Sequence, residues 1–202
     1  MLRHIDQGDD VYWLIVTHIS VELGFSEEKV VRREREIQEV AAAYGVENTI
    51  NLGFPTTRLD VQPMNTMVDA VGEVFQEVEP EQVYVPYRND IHTDHAAVFD
   101  AVASCTKWFR YPSVERVLAY ETLSETDFSI DSDTQGFKPN VFVDVEGYVE
   151  KKVDIMQIYQ GEIGAHPFPR SEPAIQALAT LRGAASGFNA AEAFMLLKER
   201  VH

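Results

Sequence analysis

Val83-Tyr84-Val85-Pro86-Tyr87-Arg88-Asn89-Asp90-Ile91-His92-Thr93-Asp94-His95 is the stretch whose reading decides the fold. Its first residues form a strand that stops at Pro86. A short loop follows, and a helix starts near His92 to His95. Two of the chain's six histidines lie here, three apart, with a carboxylate between them. Open α/β sheets place ligands and chemistry where a strand end runs into a helix start. Imidazoles at a helix N-terminus feel its partial positive charge, which favours the neutral, metal-binding form. Asp94 is placed to accept from a ring N–H and so select which nitrogen faces the site. The pair by itself is also compatible with a helix cap and local hydrogen bonds, and a catalytic zinc wants three protein ligands.

Upstream of this stretch, Val11 to Thr17 is a continuous apolar run of the kind a covered parallel strand carries. Met1 to Gly8 reads as the end of a helix with Gly8 as its stop. Ser26 is a suitable N-cap, with Glu27 and Glu28 in the first turn, for a helix that ends at Gly45. Its apolar face is read as Val30, Ile37, Val40, Ala41 and Tyr44. Thr49 to Leu52 is a short strand, and Pro63 to Val78 an amphipathic helix. Downstream, the helix from about Asp94 buries Ala97, Val98, Ala101, Val102 and Cys105. Val114 to Tyr120 and Val141 to Val145 are strands, separated by an exposed loop from Asp127 to Pro139. Tyr148 to Gly161 is a helix, and Ser171 caps another that runs to about Ala185. Asn189 to Val201 is read as helical, or as a short strand plus helix.

This alternation predicts an α/β, Rossmann-like fold, a mostly parallel sheet with helices on both faces, in one domain over residues 1–202. In such a fold the first strand lies mid-sheet. The chain opens instead on half a helix and then a strand, as if a leading strand were missing. Val11 to Thr17 and Gln82 to Val85 would flank that position. They are expected either to pair with each other or to accept another segment between them.

The 202 residues carry a net charge of −16, which argues against nucleic-acid binding and against anionic membrane surfaces. No apolar run is long enough to span a membrane. The single cysteine rules out an intrachain disulfide framework, and the cytoplasm is the expected compartment. A homo-oligomer is expected.

Asp90-Ile91-His92-Thr93-Asp94-His95 resembles the His-x-Asp-His motif of the LmbE-like (PIG-L) N-acetylglucosamine deacetylases. The likeness extends through Met1 to Thr17, Arg33-Glu-Arg-Glu36 with Gly45-Val46, Leu52-Gly53-Phe54-Pro55, His166-Pro-Phe-Pro-Arg-Ser171 and Ala191-Glu-Ala-Phe194. It implies a Rossmann-like hydrolase that uses zinc or another divalent metal to remove an N-acetyl group from an amino-sugar conjugate. By resemblance His95 is a metal ligand, His92 stabilises the oxyanion and Asp94 orients an imidazole. Arg33, Asp90, His166 and Arg170 are candidate substrate contacts. The family's other motif, Ala-His-Pro-Asp-Asp-Glu, which supplies two ligands and the general base, is not in this sequence. Three expectations stay open. The chain starts late and the complete protein is an ordinary deacetylase; or it is a non-catalytic member or a fragment completed by a partner; or His18 or His166 replaces a ligand. A nucleotide-binding Rossmann protein is disfavoured, because no Gly-x-Gly-x-x-Gly follows a strand.

Overall fold

The computed structural model describes residues 1–130 and 136–202. The chain groups into two compact units, Met1–Thr56 with Asp144–Glu192, and Thr57–Val143 with Ala193–His202. Part of the loop read over Asp127 to Pro139 falls outside the described residues.

In the first unit, α1 (Leu2–Asp6) leads into β1 (Tyr12–His18), which pairs in parallel with β2 (Asn48–Pro55). Between them runs α2 (Glu27–Tyr44). Its ends follow from local chemistry: the Ser26 side chain accepts from the Lys29 N–H, and Gly45 takes a left-handed φ of 79° that other residues resist. Val40 of α2 meets Leu2 and Ile155 in a core, with Trp13, Tyr44 and Tyr159 packed around them. Glu36 is the surprise on that face. It is buried in line with Val40, one helical turn away. The apolar-face reading left it out because a carboxylate belongs inside only when its oxygens are met, and here they are. α5 (Val149–Ile158) packs on α2, and α6 (Glu172–Ala184) packs on α5. Ser171 stands at the N-cap of α6, but its hydroxyl makes no cap bond and lies buried without a hydrogen-bond partner among the described residues. The expected Ser171 cap is therefore positional only.

In the second unit, a four-stranded sheet has the order β3-β4-β6-β5, from β3 (Gln82–Pro86), β4 (Arg116–Tyr120), β5 (Val141–Asp144) and β6 (Ala191–Glu199). β3 and β4 run parallel; β4 and β6 run antiparallel. Val117, Leu118 and Ala119 are buried in succession, as a central strand covered on both faces requires. α3 (Met64–Val78) and α4 (Thr93–Ser104) pack together, with Met67, Val71, Ala97, Ala101 and Val102 buried. Cys105 is fully buried and its thiol donates to the Val68 carbonyl.

The α/β class and the parallel pairings agree with the sequence reading, but two sheets replace the one expected and the larger is mixed. The mixing comes from β6, read as largely helical. Apart from Phe194, its residues, Ala-Glu-Ala-Phe-Met-Leu-Leu-Lys-Glu, favour helix individually. The place beside β4 buries Phe194, which pairs with Tyr120, and packing overrides propensity. Among the described residues β1 has one ladder partner, β2, and β3 has one, β4. Direct pairing of β1 with β3 is not among these ladders.

Candidate active site

The site residues of the second unit lie where β3 ends and α4 begins. Pro86 closes the strand, the Tyr87 N–H donates to the Tyr120 carbonyl, and the Asp90 N–H donates back to Tyr87. This fixes the loop. His92 is the N-cap of α4, and its Nδ1 accepts from the Asp94 N–H at 3.1 Å. An imidazole in the place of a Ser or Asp cap satisfies one of the free N–H groups of the first turn.

His95 lies one turn on. Its Nδ1 is 2.7 Å from Asp90 Oδ2, and the Asp90 side chain has no solvent-exposed surface. The two imidazole rings stack, with centroids 5.1 Å apart and planes within 16°. The partners assign the tautomers. His92 Nδ1 is an acceptor, so its proton sits on Nε2. His95 Nδ1 faces an acceptor-only carboxylate, so it donates, and in the neutral ring Nε2 keeps its lone pair. A donor and an acceptor thus stand side by side on one helix end. Burial and the Asp90 carboxylate push the neighbouring Tyr120 phenol up to about 12.

Two assignments change. Asp94 does not hold an imidazole: its buried carboxylate accepts the backbone N–H groups of Thr57 (2.7 Å) and Leu59 (3.2 Å). Asp90 was read as a possible substrate contact, but a carboxylate with no exposed surface cannot touch substrate, and it is Asp90 that orients His95. Thr126, missed in the sequence, donates from Oγ1 to Asp90 Oδ1 at 2.6 Å. It lies 36 residues away in sequence, and no local pattern marks it.

Arg33 and Arg170 meet in the first unit, around Glu162. Arg33 pairs with one Glu162 oxygen and, at 3.2 Å, with Glu36. Arg170 bonds the other Glu162 oxygen at 2.8 Å and the Glu162 carbonyl at 2.6 Å. Glu36 also accepts the Gln160 N–H. The Arg33 guanidinium lies over the Tyr159 ring and that of Arg170 over Phe168. Arg33 is therefore neither a free substrate arm nor a solvated face; it ties the 159–170 segment to α2. His166 is exposed, before a cis Pro167. His18 Nδ1 lies at the Phe54 carbonyl, and a carbonyl only accepts, so Nδ1 carries its proton.

His95 suits one ligand position of a metal centre, because metal-bound imidazoles usually have their other nitrogen tied to a carboxylate. The donor set stops there. Among the described residues no group of three His, Cys, Asp or Glu side chains could hold an ion, so they do not by themselves fit a zinc centre.

Comparison with solved structures places this architecture among deacetylase folds. The chain superposes along its whole length on a conserved protein of Thermus thermophilus, with a TM-score of 0.77, 21% identity and 87% of that chain covered. On the N,N'-diacetylchitobiose deacetylase of Pyrococcus horikoshii the TM-score is 0.75 at 18% identity, covering 98% of this chain and 76% of the other. Residues 1–106 match the family model described as GlcNAc-PI de-N-acetylase, PIG-L, and the chain belongs to that family. An uncharacterised deacetylase of Escherichia coli, YaiS, is 30% identical over 101 residues, 47% of this chain and 51% of that protein. The match thus spans about half the length of this curated relative. Among the described residues no helix is long and apolar enough to cross a membrane.

Proposed function

We propose that this chain, acting as one deacetylase domain over residues 1–202, takes part in hydrolysis of the acetamide of an N-acetylated amino-sugar conjugate of the N-acetylglucosamine type. The observation that carries the reading is the stacked His92–His95 pair with opposite hydrogen-bonding polarity. Amide hydrolysis builds negative charge on the carbonyl oxygen as the tetrahedral species forms, and it returns a proton to the leaving amine. His92 Nε2–H is the donor for the oxyanion. His95 Nε2 is an oriented lone pair. Zinc or another divalent ion enters the proposal through His95 alone, as one ligand, and a full centre requires further donors. Arg33 and Arg170 act as positioning residues through Glu162, and His166 remains the exposed candidate contact in that segment. The cytoplasm is the proposed compartment.

The test is deacetylation of an N-acetylglucosamine conjugate by the full protein, with metal content measured alongside. His92→Ala is expected to keep the metal content and lose about 10²- to 10³-fold in kcat, the usual loss for one oxyanion donor. His95→Ala is expected to lose metal affinity. An unchanged kcat in His92→Ala refutes the role of His92. A second reading, a non-catalytic binding member, is favoured by the incomplete donor set among the described residues. Absence of turnover with intact binding of the conjugate would establish it.

A further inference from the structure

We infer that Thr126 is a positioning residue of this site: acting through Asp90, it holds His95 in the tautomer with its proton on Nδ1. The functional weight of this rests on the proposed reading of His95; the structural content does not.

A carboxylate without exposed surface must have its oxygens met from within the protein. Asp90 Oδ2 is met by His95 Nδ1 at 2.7 Å, and Oδ1 by Thr126 Oγ1 at 2.6 Å. A threonine hydroxyl can rotate and can donate or accept, so something must set its direction. The Thr122 N–H does so, donating to Thr126 Oγ1 at 2.8 Å and leaving the hydroxyl proton for Asp90. The segment is itself fixed beside the histidine loop. The Thr126 N–H donates to the Thr122 carbonyl at 2.9 Å, and the Ile91 N–H to the Glu125 carbonyl at 3.2 Å. Polarity therefore runs one way, from the Thr122 N–H through the Thr126 hydroxyl to Asp90. Asp90 receives from both sides, His95 Nδ1 can only donate, and in the neutral ring Nε2 is left with its lone pair. With valine at 126 the shape is kept and the hydroxyl is lost. Asp90 Oδ1 then loses its donor inside the protein, and the constraint on the Asp90 plane that selects one ring nitrogen is weakened.

The experiment is long-range ¹H–¹⁵N correlation on the ¹⁵N-labelled full chain without metal. It is run at a pH of about 9, well above the ordinary histidine pKa of about 6.5. In the unsubstituted protein, His95 Nδ1 is expected to show the shift of a protonated ring nitrogen and Nε2 that of an unprotonated one. Thr126→Val is expected to give averaged, mixed-tautomer shifts, and Thr126→Ser to restore the original pattern. If Thr126→Val fails to fold, Thr126→Ala is measured in the same way. An unaltered His95 pattern in a folded Val or Ala variant overturns the inference. Where the unsubstituted protein is active, Thr126→Val should lower kcat by about 10- to 100-fold, with KM little changed and Ser restoring the rate. A shifted tautomer with unchanged kcat overturns the role in catalysis. Lack of activity in the unsubstituted protein, with the tautomer result as expected, overturns the functional reading alone.

Discussion

Replacing Asp94 by Ala tests whether this carboxylate holds an imidazole or holds the chain. The structure gives it two partners, the N–H of Thr57 at 2.7 Å and that of Leu59 at 3.2 Å. Leu59 is 1% exposed, so its N–H would be left unsatisfied in the interior, at a cost of about 1–3 kcal/mol. Thr57 lies at the surface, and water replaces the carboxylate there, so its bond is worth only about 1 kcal/mol. Thr57 also sits at a φ of 58°, a left-handed conformation that the bond to Asp94 helps to hold. The expected loss is about 2–4 kcal/mol. At roughly 2–4 °C per kcal/mol for a chain of this size, Tm should fall by about 4–16 °C. Asp94→Asn keeps one acceptor oxygen and turns an amide donor toward the other N–H, so it should recover no more than about half of that loss. Neither substitution removes the Asp94 backbone N–H, which is the group that holds His92. The assay is urea and thermal unfolding of the three proteins. Stability of Asp94→Ala within about 0.5 kcal/mol of the unsubstituted protein, the range of an inconsequential surface change, would refute the reasoning.

Other outcomes follow from particular contacts. Glu162→Ala should remove the shared partner of Arg33 and Arg170 and destabilise by about 2–3 kcal/mol in denaturant melts, since charge-assisted bonds are the stronger kind. Disrupting the exposed Arg35–Glu39 pair should cost less than about 0.5 kcal/mol in the same melts. Gly183→Ala should destabilise by roughly 1–3 kcal/mol, because the new Cβ would meet the Phe188 carbonyl oxygen at 2.6 Å and the Ala190 nitrogen at 2.9 Å, both backbone atoms that cannot swing aside. Burial pushes the Tyr159 phenol up to about 12, with nearby Arg33 pulling the other way. A phenol raised in the folded state adds stability that is present below its unfolded value of about 10 and lost as pH rises through about 12. Denaturant melts across that window should show a fall that is smaller in Tyr159→Phe.

Much of this protein was legible from local sequence because the physics is local. A helix end is decided within one turn, so Ser26 and Gly45 bound α2 as read, and His92 to His95 open α4 as read. The three-residue spacing brings the two imidazoles onto one helix face whatever surrounds them. Apolar runs marked the strands, though not which of them would share a sheet. Tertiary structure decided what depends on residues far apart in the chain. Asp90 and Asp94 are both acidic and both near the histidines, so nothing in their order tells which holds an imidazole. The answer came from Thr126, 36 residues after Asp90, and from Thr57 and Leu59, 37 and 35 residues before Asp94. Likewise Glu36 is acceptable inside α2 because Arg32, Arg33 and the Gln160 N–H, the last of these 124 residues away, meet its oxygens. The strand β6 shows the same limit from the other side. Its residues prefer helix by less per position than burial beside β4 returns, and propensity is settled by neighbours that the segment itself does not contain.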